Sequence, residues 1–282
     1  MKLTFANLLT AAQKATWNTA AGRLAARWGL GRLLRRLLWH RAYRRGVMAT
    51  RLAGYPVRVH IAGDDDVQRA QKFWREQAMV SRLLGCFREG DHFWDVGANA
   101  GLVTLVAGKA LGPLNGWVTA FEPHPVMYEQ LARNVHANEL SHVKTRELAL
   151  GEASTTAPLY VADRPAAGTH TLIDAAGGTS VEIAVERGQT LASSDGAFPN
   201  VIKIDVEGAE DRVLEGCRPM LSQPALRDLF VELHPQSLGT EGVTAIDQLL
   251  VDSGFTLAWS CQRDAEEQRH YCRAASSAAA GD

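Results

Sequence analysis

Three short stretches carry side chains able to do chemistry. The first is Asp95-Val96-Gly97-Ala98-Asn99-Ala100-Gly101, set between an apolar run and a helical pattern. In an open α/β sheet, ligands bind beyond the carboxyl ends of the strands. Gly97 lets the chain turn sharply and lets a ligand approach the backbone. Gly101 lets the next helix begin close to the sheet, and the free N–H groups of that helix start suit an anionic group. Asp95 at the strand end would repel a phosphate but can face an ammonium. The dinucleotide fingerprint G-x-G-x-x-G fails twice, because Asn99 holds its third position and Leu102 its sixth.

The second stretch is Glu122-Pro123, with Glu122 27 residues after Asp95. Rossmann-like folds hold a ribose near this place, and a carboxylate can accept from both ribose hydroxyls at once. The two stretches together fit a ligand with an ammonium, a carboxylate, a ribose and no phosphates. S-adenosylmethionine is such a ligand. Its expected contacts are Asp95, Gly97, Ala98, Asn99, Gly101, Glu122 and Pro123. Taken singly, Asp95 or Glu122 could be no more than a helix cap.

The third stretch is Lys203-Ile204-Asp205-Val206-Glu207-Gly208-Ala209-Glu210, followed later by Glu232-Leu233-His234-Pro235. Both lie where a buried strand ends, so Asp205, Glu207, Glu232 and His234 are expected to converge on one rim of the sheet. Such a cluster could deprotonate a hydroxyl, or hold a divalent cation such as magnesium that does so. Asp205 is the candidate base and His234 its alternative, with Glu207 and Glu232 orienting an acceptor or a cation. The competing reading has Glu207 and Glu210 capping a helix and His234 ending a strand.

Those residues need a frame. Runs 92–96, 117–122, 143–148, 201–206 and 229–233 read as strands, with helices over 102–111, 126–137, 208–215 and 243–253. Alternating strands and helices mean a parallel sheet with crossover helices. Further strands are expected at 255–260 and 270–273, where Cys261 and Cys272 could face each other across a hairpin. Residues 151–190 are rich in Gly, Ala, Thr and Ser, with β-like runs at 157–161 and 181–185, and read as hairpins bordering the active site. The predicted division is a basic amphipathic helical extension over 1–50, a strand and helix leading into the core over 51–89, the catalytic domain over 90–273, and a disordered tail over 274–282. Asp64-Asp65-Asp66 precede a helix over 67–87 and are expected to cap it; three adjacent carboxylates in a solvated loop rarely hold a metal.

The 282 residues are 46% hydrophobic and 22% charged, which excludes global disorder. The net charge of -1 hides an asymmetry: residues 1–50 hold ten basic and no acidic residues. That segment suits an anionic membrane surface, an organelle transit peptide, or a helix packed on its own domain or on a partner chain. No run reaches the roughly 18 apolar residues of a membrane span, and no groove-reading motif accompanies the charge, so nucleic acid is not an expected partner. Four cysteines without redox or zinc spacing suit a reducing compartment. The cytoplasm, with peripheral membrane contact through residues 1–50, is the expected location.

FWDVGANAGLVT, AFEPHPVMYEQLARNV, the Ala149-Leu150-Gly151 turn, IKIDVEGAEDRVLEG and VELH occur in this order. Over about residues 90–260 the chain resembles the FkbM family of methyltransferases. The resemblance implies a Rossmann-like class I methyltransferase fold, an α/β architecture with a mostly parallel seven-stranded sheet. It implies S-adenosylmethionine as donor and a hydroxyl acceptor on a sugar, glycolipid or secondary metabolite. The family's donor-site acids fall on Asp95 and Glu122, and its late acidic motif on Asp205 and Glu207. Many members place Leu-Asp before the fourth strand, where this chain has Leu191-Ala192-Ser193-Ser194; that segment is expected to border the acceptor. Two rival classes remain at this level: a nucleoside-binding protein without turnover, attached to a membrane or partner, and a nicotinamide-dependent oxidoreductase, against which the broken fingerprint argues.

Overall fold

The computed structural model describes residues 44–161, 170–171 and 179–273. The greater part of the basic segment 1–50 and all of the tail 274–282 lie outside the described residues. The chain divides into two compact units between Arg75 and Glu76.

In the first unit, strands β1 (Val47–Leu52) and β2 (Tyr55–His60) form an antiparallel hairpin. Helix α1 (Asp64–Lys72) follows. The three acids form its first turn and do not precede it as expected; Gly63 is the N-cap, and the Asp66 carboxylate reaches back to accept from the N–H groups of Ala62 (2.8 Å) and Gly63 (3.0 Å). The helix expected over 67–87 is interrupted by a tighter 3-10 turn at Phe73–Glu76.

The second unit opens with α2 (Gln77–Cys86) and continues through β3 (His92–Val96), α3 (Leu102–Leu111), β4 (Trp117–Phe121), α4 (Pro125–Ala137) and β5 (Val143–Arg146). A smaller group of strands follows: β6 (Ala149–Leu150), β7 (Thr155–Val161), β8 (His170–Thr171) and β9 (Thr179–Glu186). The main fold resumes with α5 (Gly188–Asp195), β10 (Val201–Ile204), α6 (Glu210–Leu221), β11 (Asp228–Leu233), α7 (Pro235–Asp252), β12 (Phe255–Arg263) and β13 (Glu266–Arg273).

Seven strands make one sheet in the order β12-β13-β11-β10-β3-β4-β5. β11, β10, β3, β4 and β5 pair in parallel, and the β12–β13 hairpin joins antiparallel to β11. The α/β class and the seven-stranded, mostly parallel sheet are therefore as the resemblance implied. Period-2 alternation sends side chains to two cores. Trp94, Val96, Ile202 and Val231 pack with α6 and α7 on one face, through Val213, Leu214, Ile246 and Leu250. Phe93, Val118, Val201 and Phe230 pack with α2 and α3 on the other, through Met79, Leu83, Ala107 and Leu111. A sheet buried on both faces needs apolar residues at nearly every strand position, and β3 and β10 are buried throughout.

The excursion after β5 forms a four-stranded sheet in the order β6-β9-β7-β8. The terminal hairpin does not bring the cysteines together. Its register sets Cys261 opposite Gln268 and Cys272 opposite Thr256, and all four cysteines are free thiols.

Candidate functional site

The strand order reverses at β3. The chain leaves it toward β4 and β5, then returns on its other side as β10, so the crevice between the carboxyl ends of β3 and β10 is the switch point where open α/β sheets bind ligands. The Gly97-to-Gly101 loop fills one lip. Gly97 and Ala98 donate their N–H groups to the Phe121 carbonyl at 3.0 and 2.9 Å, which ties the loop to the end of β4. Gly97 has φ +76°, and a Cβ there would stand 1.8 Å from the Asp205 carbonyl oxygen. Gly101 starts α3, and a Cβ on it would meet Leu131 at 2.4 Å. The two glycines thus permit, respectively, the approach of β3 to β10 and of α3 to α4.

A cleft open to solvent follows this crevice. Gly97, Asn99, Glu122 and Pro123 stand on its wall, as do Asp205 and Glu207. Glu122 Oε2 accepts from Asn99 N (2.7 Å) and Oε1 from His124 N (2.9 Å). Each oxygen keeps further acceptor capacity toward the cleft. Burial pushes the Glu122 carboxyl up to about 7, against those two N–H donors. Ala98 and Gly101 shape the loop from behind.

Asp95 lies beneath the loop and off the cleft wall, with no exposed surface. Thr104 Oγ1 donates to its Oδ2 at 2.5 Å, and Lys203 Nζ lies 3.3 Å from its Oδ1. Lys203 is the residue that the sequence reading passed over. It is Asp95's registered neighbour across the parallel β3–β10 pair, so the two side chains share a face. Its ammonium also reaches Asp205 Oδ2 (3.2 Å) and the Gly97 carbonyl (3.1 Å). Burial opposes its charge, but Asp205, Asp95 and Glu232 more than compensate and hold the ammonium above the ordinary lysine range. A lysine inside a buried four-residue strand was the available signal.

On the far side of the cleft, Asp205, Glu207 and His234 come together as expected, with one donor atom of each within 4.8 Å of the others. Glu207 holds a left-handed backbone conformation (φ 56°). Glu210, wholly buried, accepts from the Gly208 N–H (2.9 Å) and lies 2.8 Å from His234 Nδ1. Burial and the neighbouring Asp205 push the Glu207 carboxyl up to about 7. Burial disfavours a charged His234, yet Glu210, Glu207 and Asp205 raise it to about 9. Glu232 reaches His234 as well, one donor atom of each and of Glu266 lying within 4.8 Å of the others, but its carboxylate is also tied into the terminal hairpin. It accepts from Arg263 Nη2 and from Gln268 Nε2 (2.8 Å), the latter its registered partner on β13, and it is absent from the cleft wall. Burial raises its carboxyl above the usual range, with Arg263 and Gln268 opposing.

The Leu148–Leu150 segment and Leu159 of β7 add an apolar wall, so the excursion does border the site. A family model for the methyltransferase FkbM domain matches residues 95–257, more than half of the chain. The chain belongs to the FkbM methyltransferase family.

Its curated relatives include the hexuronic acid methyltransferase AglP of Haloferax volcanii, 27% identical over 192 residues, covering 67% of this chain and 75% of AglP. The methyltransferase sdnD of Sordaria araneosa is 33% identical over 161 residues, covering 56% of this chain and 54% of sdnD. Among solved structures, the methyltransferase FkbM from Methylobacillus flagellatus aligns over 75% of this chain and 56% of its own at 17% identity, with a TM-score of 0.44. This FkbM domain is thus an S-adenosylmethionine-dependent methyltransferase, and the matched span holds Asp95, Glu122, Asp205, Glu207 and His234. Its cleft fits such a donor. Among the described residues, three carboxylates (Glu122, Asp205 and Glu207) and no basic side chain stand on the wall, a lining that suits a cationic sulfonium and an ammonium and disfavours a pyrophosphate. No helix among the described residues is long and apolar enough to cross a membrane.

Proposed function

We propose that this FkbM methyltransferase methylates a hydroxyl oxygen on a sugar, glycolipid or secondary metabolite. The observation that carries this reading is the cleft's division. Gly97, Asn99 and Glu122 form a donor half, and Asp205 and Glu207 an acidic half across the β3–β10 crevice. The donor, when bound, supplies a methyl group already made electrophilic by its sulfonium. The remaining work is alignment, for which holding two substrates together can supply about 7–11 kcal/mol. Glu122 accepts the ribose hydroxyls while the backbone of Asn99 and His124 fixes its carboxylate. Asp95, through Lys203, holds the loop that the donor rests on. Asp205 and Glu207 accept hydrogen bonds from the acceptor hydroxyl, whose proton leaves across this acidic rim. The hexuronic acid named for AglP supports a sugar-based acceptor.

The test is transfer of a labelled methyl group from S-adenosylmethionine into sugar and glycolipid extracts, with the product treated in mild alkali. An ether linkage keeps the label and supports the reading. A label released by alkali marks an ester and refutes hydroxyl methylation. Asp205→Asn is expected to slow transfer by roughly 10²–10⁴-fold while binding donor normally. Full activity in that variant removes Asp205 from the mechanism.

A further inference from the structure

The acidic rim contains a histidine whose hydrogen bonding the chain does not complete. His234 is 9% exposed. Its Nδ1 is taken by Glu210 at 2.8 Å. Its Nε2 is buried without a hydrogen bond and faces Glu207 Oε2 at 3.3 Å. Asp205 closes the group, with one donor atom from each of the three residues inside a 4.8 Å span. Two features hold this geometry in place. Glu207 sits at φ 56°, a conformation that costs a side-chain-bearing residue roughly 1–2 kcal/mol. Glu210 fixes the imidazole and the Gly208 N–H with the same oxygen. A buried imidazole nitrogen beside two carboxylates, steered by a third carboxylate on its other nitrogen, is an arrangement that metal-binding histidines adopt, and a bound ion would displace the proton that otherwise pairs Nε2 with Glu207.

We propose that Asp205, Glu207 and His234 bind one divalent cation. Glu207, and Asp205 shared with Lys203, offset most of its charge, and three ligands leave positions for water and an acceptor oxygen. One nitrogen and two oxygens suit manganese better than magnesium, which favours an all-oxygen shell and keeps its waters. Lys203 cannot take the cation's place, because its ammonium is already committed to Asp95, Asp205 Oδ2 and the Gly97 carbonyl. The cation would lower the pKa of a coordinated acceptor hydroxyl, whose proton then passes to water at the open cleft. That consequence rests on the methyltransferase reading; the binding of the cation does not.

The full chain, stripped of metal with a chelator, is titrated with Mn²⁺ while the paramagnetic resonance of free Mn²⁺ is followed. Binding of S-adenosylhomocysteine is measured calorimetrically on the same protein. One Mn²⁺ per chain is expected, with electron spin echo modulation from a directly bound ¹⁴N. His234→Gln should abolish the nitrogen signal, Glu207→Gln should release the ion, and Glu210→Gln should weaken binding roughly 10–100-fold. Each variant is first shown to melt cooperatively. The modulation measured on the wild type keeps the test decisive if a variant fails to fold. Undiminished free Mn²⁺ at millimolar protein, or bound Mn²⁺ without nitrogen coupling, overturns the inference. Donor binding without cation binding sinks this proposal alone, and cation binding without donor binding sinks the methyltransferase reading alone.

Discussion

Replacing Lys203 tests the electrostatic tie beneath the glycine loop. Lys203→Met keeps the length and apolar stem of the side chain and removes its charge. Asp95, with no exposed surface, then loses the ammonium 3.3 Å away and keeps only the Thr104 hydroxyl. Breaking a buried ion pair from one side costs about 3–5 kcal/mol, because the other charge is left uncompensated. With a urea m value of about 2–3 kcal/mol/M, the unfolding midpoint should fall by roughly 1–2.5 M. Asp95→Asn in the same chain neutralises the stranded charge, so the double variant should recover part of that loss. The pair should show a coupling of about 0.5–3 kcal/mol in a double-mutant cycle. The Gly97 carbonyl also loses its 3.1 Å bond, so S-adenosylhomocysteine should bind more weakly to Lys203→Met even where the variant is fully folded. A midpoint indistinguishable from wild type, or strictly additive single effects, would refute the claim that this ammonium holds the loop and both strand ends together.

Gly97→Ala forces a methyl to 1.8 Å from the Asp205 carbonyl at φ +76°; left-handed strain and overpacking together predict a loss of roughly 2–5 kcal/mol. Thermal melting with and without S-adenosylhomocysteine reads this, and a variant that melts and binds like wild type rules it out. Donor affinity should fall about tenfold between pH 8 and pH 6, the factor expected if only ionised Glu122, pushed up by burial to about 7, accepts the ribose. Lys203 and Asp95 also face that carboxyl, the first favouring and the second opposing its charge. Because this pKa is raised, protonation favours the folded state, and the ionised carboxylate's burial cost grows as pH climbs from about 4.5 to 7. Calorimetric titration across this range checks the affinity, and Glu122→Gln should flatten the profile. Full-length protein should sediment with anionic vesicles at low salt and be released at high salt, and removal of residues 1–43 should abolish the association.

The parts of the site that stand at strand ends were legible, and those set by side-chain register inside the sheet, such as the Asp95–Lys203 pair, were not. The Asp95–Gly101 loop sits between a strand and a helix because apolar runs and glycine spacing are local signals, and α3 begins and ends at its expected residues, Leu102 and Leu111. Asp205, Glu207 and His234 converge because strand order places the ends of β10 and β11 side by side. Glu232 stays within reach of His234, but it also accepts from Arg263, a pairing that depends on how β12 and β13 pair beside β11. Helix α5 was missed because Gly188–Asp195 carries few apolar residues; Gly188 and Ala192 are the ones buried in it. Helix α7 begins eight residues before its expected start, at Pro235, with Gly239 leaving helical geometry inside it (φ 66°, ψ 172°). Glycines at 239 and 242 had masked that first turn.

Strand order also explains why the glycine loop and the acidic rim share one cleft. Strands β3 and β10 are adjacent and parallel, so their ends release two chains on the same rim, one toward the Gly97 loop and one toward Asp205. Only a residue without a Cβ lets the two backbones meet at Gly97, and only a cation can sit among Asp95, Asp205 and the Gly97 carbonyl without leaving charge uncompensated. Lys203 meets that requirement from within the β10 strand. The donor loop and the acidic rim are therefore held by the same ammonium, and a displacement of either is felt by the other. The spacing between the Gly97 loop and Asp205 is fixed by this lysine, whose ammonium contacts both.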